Sequence, residues 1–340
     1  MADSRCALGC LPVGPPAQVH SVAWNCTGRK LASGSVDRTA RIWDIHHGKG
    51  DKAEAELKGH SEGVDQVCWH PSHQDQLATA SGDKSVRFWC ARRPGLQPCL
   101  GPVPDPLPAG VCRDTRSGKC VAPVPTAGEN INLAWSPDGR HVAVGDRGDC
   151  VTVLDVRTHR AVGKNKFPFE VNEFCWDAAG GRFFITSGHG SVEVLSYPSW
   201  EALHSLVAHT AGNYCLDMSP GAQLLAVGSG DALVSLWDVG ELCCVRTLAR
   251  LDKPIRALSF SHDGRFLAAG SHDHFIDISI AATGEQACRL ETKAELHTLA
   301  WNPRYLVLAY ATGDETHTDA EGQVYERGRG EGMLRVWGVS

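Results

Sequence analysis

One histidine–aspartate pair stands out in this sequence because its residue types could support nucleophilic catalysis. His60 lies 23 residues before Asp83, and the hydroxyl residues Thr79 and Ser81 fall between them. A histidine held by an aspartate beside a hydroxyl is the arrangement that activates serine and threonine nucleophiles. The pair therefore has to be weighed as a possible catalytic triad.

The same spacing occurs a second time, which argues against a triad. In both places a tryptophan follows the aspartate by 6 residues, and the histidine–aspartate spacings are 23 and 22 residues. The two sets are His60, Asp83 and Trp89, and His209, Asp231 and Trp237. An enzyme does not need one triad in several places, so the repetition favours a structural role and predicts no catalytic residue.

Metal or cofactor chemistry has no motif to support it. The chain has 14 cysteines but no CxxC pair, and Cys90, Cys99, Cys112 and Cys120 do not have zinc-ligand spacing. Phosphate-binding loops and paired-acid constellations are also missing from the sequence. We therefore predict neither a metal site nor a cofactor.

A repeated strand pattern indicates how these residues are positioned. Alternating apolar residues, usually ending in an aromatic, occur seven times, and the last residues of successive copies are 45, 66, 41, 42, 42 and 41 apart. A period of about 40–45 residues is that of one propeller blade. The seven copies end at Trp24, Trp69, Trp135, Trp176, Met218, Phe260 and Trp301.

Each copy is followed by turn residues and further strands. Ser136–Gly145 and Ser261–Gly270 contain Asp-Gly turns that favour tight hairpins, and a third and a weaker fourth strand follow. The pattern predicts an all-β, seven-bladed propeller of residues 19–340, with four antiparallel strands per blade. Residues 1–18 would form an N-terminal segment that could supply the strand closing the ring.

Composition excludes several functional classes. The net charge is -6, with basic and acidic residues mixed along the chain, so the basic stripe of a nucleic-acid-binding protein is missing. No apolar run reaches the roughly 18 residues that span a bilayer, and the N-terminus does not resemble a secretory signal. We expect no membrane association and a reducing compartment.

One interval of 66 residues breaks the period. It contains Cys90–Arg113, a segment of 24 residues with six prolines, and removing that segment restores an interval of 42. Proline at this density disfavours both helix and strand. Two interpretations remain open: a surface loop that carries function, or translated intron sequence. A second long loop, Thr312–Gly332, is expected to be solvated or to contact a partner.

The sequence around both histidine–aspartate pairs resembles the WD40 repeat family. Gly59-His60 opens one repeat and Trp237-Asp238 closes another. The resemblance implies that histidine, turn aspartate, tryptophan and a serine or threonine of the second strand form a buried hydrogen-bonded network. Such a network stabilises one packing arrangement and is not catalytic.

A more specific resemblance runs from about Val19 to Val339. Blade-specific segments such as Ser61–Ser72, Gly128-Glu129-Asn130 and Phe260–Ile278 are similar to the THO complex subunit 3 family. That resemblance implies a non-catalytic scaffold in the nucleus that couples transcription to mRNA packaging, processing and export. Its partners would be other THO/TREX subunits, and its association with mRNA and transcribed chromatin would be indirect.

A second function competes with this one. Substrate receptors of cullin-type ubiquitin ligases share the fold and carry Trp-Asp-x-Arg after a third strand. Here Val153–Arg157 lacks the tryptophan, and Trp89 reaches Asp114-Thr115-Arg116 only if the proline-rich segment is removed. The cullin receptor remains the alternative hypothesis.

A candidate partner surface comes from the loops that join each fourth strand to the next first strand. These loops repeatedly carry acids, and they should lie together on one face of the ring. We call this the rim face; its residues are Glu62, Glu129, Phe169, Glu170, Asp252 and Glu295. Such a face would attract a basic partner segment, although exposed turns also favour acids for solubility.

Overall fold

Short strands arranged in successive antiparallel sheets make up the structure, a computed structural model that describes residues 18–45, 53–91, 122–313, 316–318, 324–326 and 333–338. Blades 1 and 2 comprise β1 (Val19–Trp24), β2 (Lys30–Ser35), β3 (Ala40–Asp44), β4 (Ala55–Leu57), β5 (Val64–Trp69), β6 (Gln76–Ser81), β7 (Ser85–Cys90) and β8 (Ala122–Pro125). Blades 3 and 4 comprise β9 (Asn130–Trp135), β10 (His141–Asp146), β11 (Cys150–Asp155), β12 (Arg160–Lys166), β13 (Val171–Trp176), β14 (Arg182–Ser187), β15 (Ser191–Ser196) and β16 (Ala202–Val207).

The remaining strands complete three more blades. Blades 5 and 6 comprise β17 (Asn213–Met218), β18 (Leu224–Ser229), β19 (Val234–Asp238), β20 (Cys243–Leu248), β21 (Ile255–Phe260), β22 (Phe266–Ser271), β23 (Phe275–Ile280) and β24 (Gln286–Glu291). Blade 7 comprises β25 (Leu296–Trp301), β26 (Val307–Thr312) and β29 (Met333–Gly338), with a separate hairpin of β27 (Thr316–Thr318) and β28 (Val324–Glu326).

The predicted fold class is confirmed. Six sheets have four strands each, and the described part of blade 7 has three, all paired antiparallel. No helix occurs among the described residues, and none of them could therefore cross a membrane as a helix. The proposed closing segment, residues 1–18, lies outside the described residues apart from Gln18.

Turn chemistry and small residues explain why the blades form and pack. In the Ser-x-Asp-Gly turns, Gly139 and Gly264 adopt φ values of 72° and 69°, a left-handed conformation that glycine reaches without steric cost. All seven second strands are buried from their second residue onward. Within one of them, a Cβ on Gly228 would lie only 2.6 Å from Ile255 of the next blade, so glycine is needed for this close approach.

Tryptophans at the ends of the first strands join neighbouring blades. The indole N–H of Trp69 donates to the carbonyl of Ala23 at 3.0 Å, and that of Trp135 donates to Cys68 at 3.1 Å. Trp24 donates in the same way to Ala300 of blade 7 at 3.1 Å. This bond, and a core shared by β1, β26 and β29, connects the first blade directly to the last.

The proline-rich segment begins later than the sequence indicated. Cys90 is the last residue of β7, and Ala91 is 6% exposed and bonded through its N–H to the Asp75 carbonyl at 2.6 Å. The rest of Cys90–Arg113 lies outside the described residues. The predicted loop Thr312–Gly332 contains the β27–β28 hairpin.

Deletion of residues 92–113 should therefore leave the propeller intact. The deletion retains Ala91 and residues 114–121 as the connection between β7 and β8, which stays below the roughly 12–15 residues above which loops without secondary structure become uncommon. We expect the melting temperature and partner binding to remain near those of the wild type, as measured by a thermal melt and by co-purification. Deletion of Cys90–Arg113 is the matched comparison and should lower the melting temperature, because it removes two residues that the blade uses.

Candidate functional site

The first histidine–aspartate pair forms a continuous hydrogen-bonded network in blade 2. His60 Nδ1 lies 2.8 Å from Asp83 Oδ2, and His60 Nε2 lies 2.8 Å from Thr79 Oγ1. The indole N–H of Trp89 donates to the same Thr79 oxygen at 2.9 Å. The carboxylate of Asp83 also accepts from Ser85 Oγ at 2.7 Å, so each polar group of the network has a partner.

This geometry resembles a catalytic triad but is sealed from solvent. Thr79 is 0% exposed, and its oxygen is occupied by the Trp89 N–H, so no substrate can reach it. Burial lowers the pKa of His60 below its usual value, which keeps the imidazole neutral near pH 7. The neutral ring can donate to Asp83 through Nδ1 and accept from Thr79 at Nε2. The network therefore fixes the packing of Trp89.

Blade 5 contains the second network with one change. His209 Nδ1 lies 3.1 Å from Asp231 Oδ2, and His209 Nε2 lies 2.8 Å from Ser235 Oγ, which accepts the Trp237 N–H at 2.8 Å. The prediction that the hydroxyl stands on the second strand was right for Thr79 of β6 and wrong here. Ser235 belongs to the third strand, β19, where it pairs with Val227 of β18.

Blade 6 replaces the network with an ion pair that sequence reasoning missed. Arg250 donates through Nε to Asp277 at 3.0 Å and through Nη1 to the Gly284 carbonyl at 2.9 Å. Asp277 is 2% exposed and also accepts from Ser279, which stands where blade 5 has its tryptophan. The sequence carried a signal for this change. Ser279 stands in place of the tryptophan, Asp277 lies two residues before it, and Arg250 precedes the loop that leads into β21.

Two carboxylates line the central channel, a cavity of about 570 Å³. Asp217 Oδ2 accepts the backbone N–H of Phe260 from the next blade at 2.7 Å, and Glu173 Oε1 accepts the N–H of Phe174 at 3.3 Å. Burial in the channel wall raises the pKa of each to about 7. Asp217 and Glu173 therefore change charge within the physiological pH range.

The raised pKa of Glu173 predicts a dependence of stability on pH. Its usual value is 4.5, so the folded state binds more protons than the unfolded state between about pH 4.5 and 7. Stability should fall as pH rises through this window, by at most about 1.4 kcal/mol per pH unit, and level off above it. Thermal melts of wild type and Glu173→Gln from pH 5 to 8 test this. The variant should show a smaller loss; an equal loss would contradict the assignment.

The six rim-face residues lie in connections from fourth to first strands, at the same end of their blades. Glu62, Glu129, Glu170, Asp252 and Glu295 are exposed, whereas Phe169 is half-buried, with its ring centroid 5.3 Å from that of Phe167. The loops between second and third strands lie on the same face and are hydrogen-bonded to the rim loops. For example, the backbone N–H of Arg147 donates to the carbonyl of Glu129 at 2.9 Å.

Basic side chains beside the acids make the rim face mixed in character. Arg147 Nε lies 3.3 Å from Glu129 Oε2, and the imidazole nitrogen Nδ1 of His272 lies 3.8 Å from Glu295 Oε2. At the channel mouth, the Arg256 guanidinium stacks on Tyr214, 5.0 Å from the ring centre. The sequence prediction missed Arg147 and His272 because they lie between second and third strands, and it missed Arg256 because that residue lies within β21. A partner here would meet acids flanked by a few basic groups.

Comparisons with known proteins agree with this architecture. The family described as WD domain, G-beta repeat matches residues 9–44, 52–90, 200–238 and 242–278. The solved β-propeller domain of Cps50 (Swd1) from Myceliophteria thermophila superposes with a TM-score of 0.74 over 95% of this chain and 97% of that one, at 18% identity. Fold and networks thus define a WD40-repeat propeller.

Similarity to curated proteins narrows the class further. THO complex subunit 3 of Arabidopsis thaliana is 46% identical over 96% of this chain and 93% of its own length. The WD repeat-containing protein AAC3 of Dictyostelium discoideum is 30% identical over 88% of this chain and 62% of its own length. The chain belongs to the THO complex subunit 3 family of WD40-repeat proteins.

Proposed function

We propose that the chain is a non-catalytic scaffold subunit of a nuclear THO complex. The observation that carries the proposal is the 46% identity with a THO complex subunit, which extends over nearly the whole propeller. The sealed networks support a structural role, because the hydroxyls that their histidines contact, Thr79 and Ser235, are at most 1% exposed. The scaffold would help couple transcription to mRNA packaging, processing and export.

The partners in this proposal are other THO/TREX subunits, and contact with mRNA and transcribed chromatin is indirect. A net charge of -6 and a rim face rich in acids suit a basic protein segment better than a phosphate backbone. We assign the docking of one such segment to the rim face. The side-chain pairs on that face are exposed or, for His272, partly exposed, so they contribute little to folding and remain accessible to a partner.

Affinity purification from nuclear extract tests this function. A tagged chain should recover THO subunits in amounts comparable to its own, and the recovery should survive nuclease treatment because the contacts are between proteins. Recovery of a cullin adaptor in place of THO subunits would instead support the substrate-receptor alternative. The structure gives that alternative no added support, since Leu154 fills the tryptophan position and the Asp155 side chain caps the following turn.

A further inference from the structure

The outer edge of blade 3 carries a concentration of positive charge that the proposed function does not use. Strand β12 and the turn before it contain Arg157, Arg160, Lys164 and Lys166, with no acid among residues 157–166 of a chain whose net charge is -6. All four side chains are exposed, and none forms a salt bridge with the described residues. The nearby Asp155 carboxylate is occupied by Thr158, which donates from its N–H at 2.7 Å and its hydroxyl at 2.8 Å.

The same strand also has a free backbone edge. Among the described strands, β12 pairs only with β11, through a register from Cys150↔Lys166 to Asp155↔Arg160. An edge strand presents unpaired N–H and C=O groups on its outer side, ready to pair with another extended chain. Val162, at the bulge in this strand, is 55% exposed among the cations and offers an apolar contact.

Protection against aggregation does not explain this charge. Lysines on an edge strand can prevent unwanted pairing, but the neighbouring edges of this propeller are not protected in that way. Strand β16 exposes Leu203 at 53% and Val207 at 83% and contains no lysine or arginine. Strand β8 instead has Pro123 and Pro125, which lack the N–H that pairing needs. Among these three neighbouring edges, the basic charge is therefore confined to blade 3.

We propose that β12 binds an extended acidic segment of a partner protein, which adds to blade 3 as a fifth strand. At about 3.3 Å per residue, the seven residues of β12 offer an edge of about 20 Å, enough for a segment of similar length. Backbone pairing would supply affinity and the four cations would select glutamate and aspartate. An RNA strand could use the cations but not the backbone edge, so the combination favours a peptide. This site is separate from the rim face and does not depend on membership of a THO complex.

The test uses the full chain and a fluorescent nine-residue peptide of alternating glutamate and threonine, measured by anisotropy at low salt. The peptide should bind, and Lys164→Glu with Lys166→Glu should weaken binding at least about tenfold. Lys58→Glu with Arg265→Glu makes the same change in net charge away from this edge and should leave binding unchanged. Both control residues are exposed, at 71% and 65%.

Two further probes separate strand addition from simple charge attraction. The same peptide with alternate backbone nitrogens methylated keeps its charge but cannot pair with an edge, so it should bind at least tenfold more weakly. A single-stranded RNA of equal charge should bind no better than the methylated peptide. The proposal is overturned if the unmodified peptide does not bind, if methylation has no effect, or if RNA binds more tightly and is the ligand lost in the Lys164 and Lys166 variant.

Discussion

Replacement of Trp237 by alanine should lower the free energy of unfolding by about 3–5 kcal/mol, the usual cost of truncating a large buried aromatic. The side chain is 8% exposed and packs in a core that contains residues of both blades 4 and 5. The substitution would leave a cavity there and would also remove the N–H that donates to Ser235 at 2.8 Å. Urea denaturation monitored by circular dichroism measures the loss.

Two companion variants distinguish the contribution of the network from that of packing. Ser235→Ala removes the shared partner of the Trp237 N–H and His209 Nε2 and should cost about 1–3 kcal/mol, because both groups are then left buried without a partner. Tyr305→Ala, at a side chain that is 53% exposed, serves as the control and should change stability by less than about 0.5 kcal/mol. A Trp237→Ala protein as stable as the control would contradict the assignment of this residue to the propeller core.

Reversing three rim-face acids should slow association with THO partners by about tenfold at low salt. The variant combines Glu129→Lys, Glu170→Lys and Asp252→Lys, all exposed positions on loops that enter first strands. The change replaces attraction for a basic segment with repulsion, and screening should make the difference smaller as salt increases. Stopped-flow or surface-based kinetics at several salt concentrations would measure it, and the thermal melt should be nearly unchanged.

The matched control is a triple variant that makes the same change in net charge on the opposite face of the ring. Glu201, Glu241 and Glu285 are exposed residues of the connections between third and fourth strands, which lie at the other end of the blades. Reversal of these three acids should leave the association rate close to that of the wild type. Equal slowing by both triple variants would point to net charge alone, and wild-type kinetics in the rim-face variant would exclude that face as the docking surface.

Much of the fold could be predicted because each blade repeats the same local problem. A buried second strand needs small and apolar residues, and its hairpin needs residues such as the Asp138-Gly139 turn, so the period of about 42 residues is visible in the sequence. The same repetition favoured a structural role over a catalytic one for the His60 and His209 networks. The first-strand tryptophans could also be recognised in the sequence. The hydrogen bonds that Trp24 and Trp69 donate to carbonyls of the preceding blade could not be predicted from it.

The departures from the repeat were harder to foresee because they depend on pairs of residues far apart in the chain. Ser235 replaces the second-strand hydroxyl only because Val227 is its cross-strand neighbour. Arg250 forms the ion pair of blade 6 because Asp277 and Ser279 lie within its reach, 27 and 29 residues later. The raised pKa of Glu173 likewise depends on the neighbours that surround it in the channel, which belong to other blades.

Gel filtration of nuclear extract, with the tagged chain at its natural level, tests the scaffold assignment most directly. If the chain is a scaffold subunit, most of it should elute in a high-mass peak together with THO subunits, far ahead of a free 36.6 kDa protein. The Trp237→Ala variant should lose this peak because its propeller is destabilised, whereas a nuclease-treated extract should keep it. Elution of the wild-type chain as a free monomer, or in a peak with a cullin adaptor and no THO subunit, would rule out the scaffold function proposed for the chain.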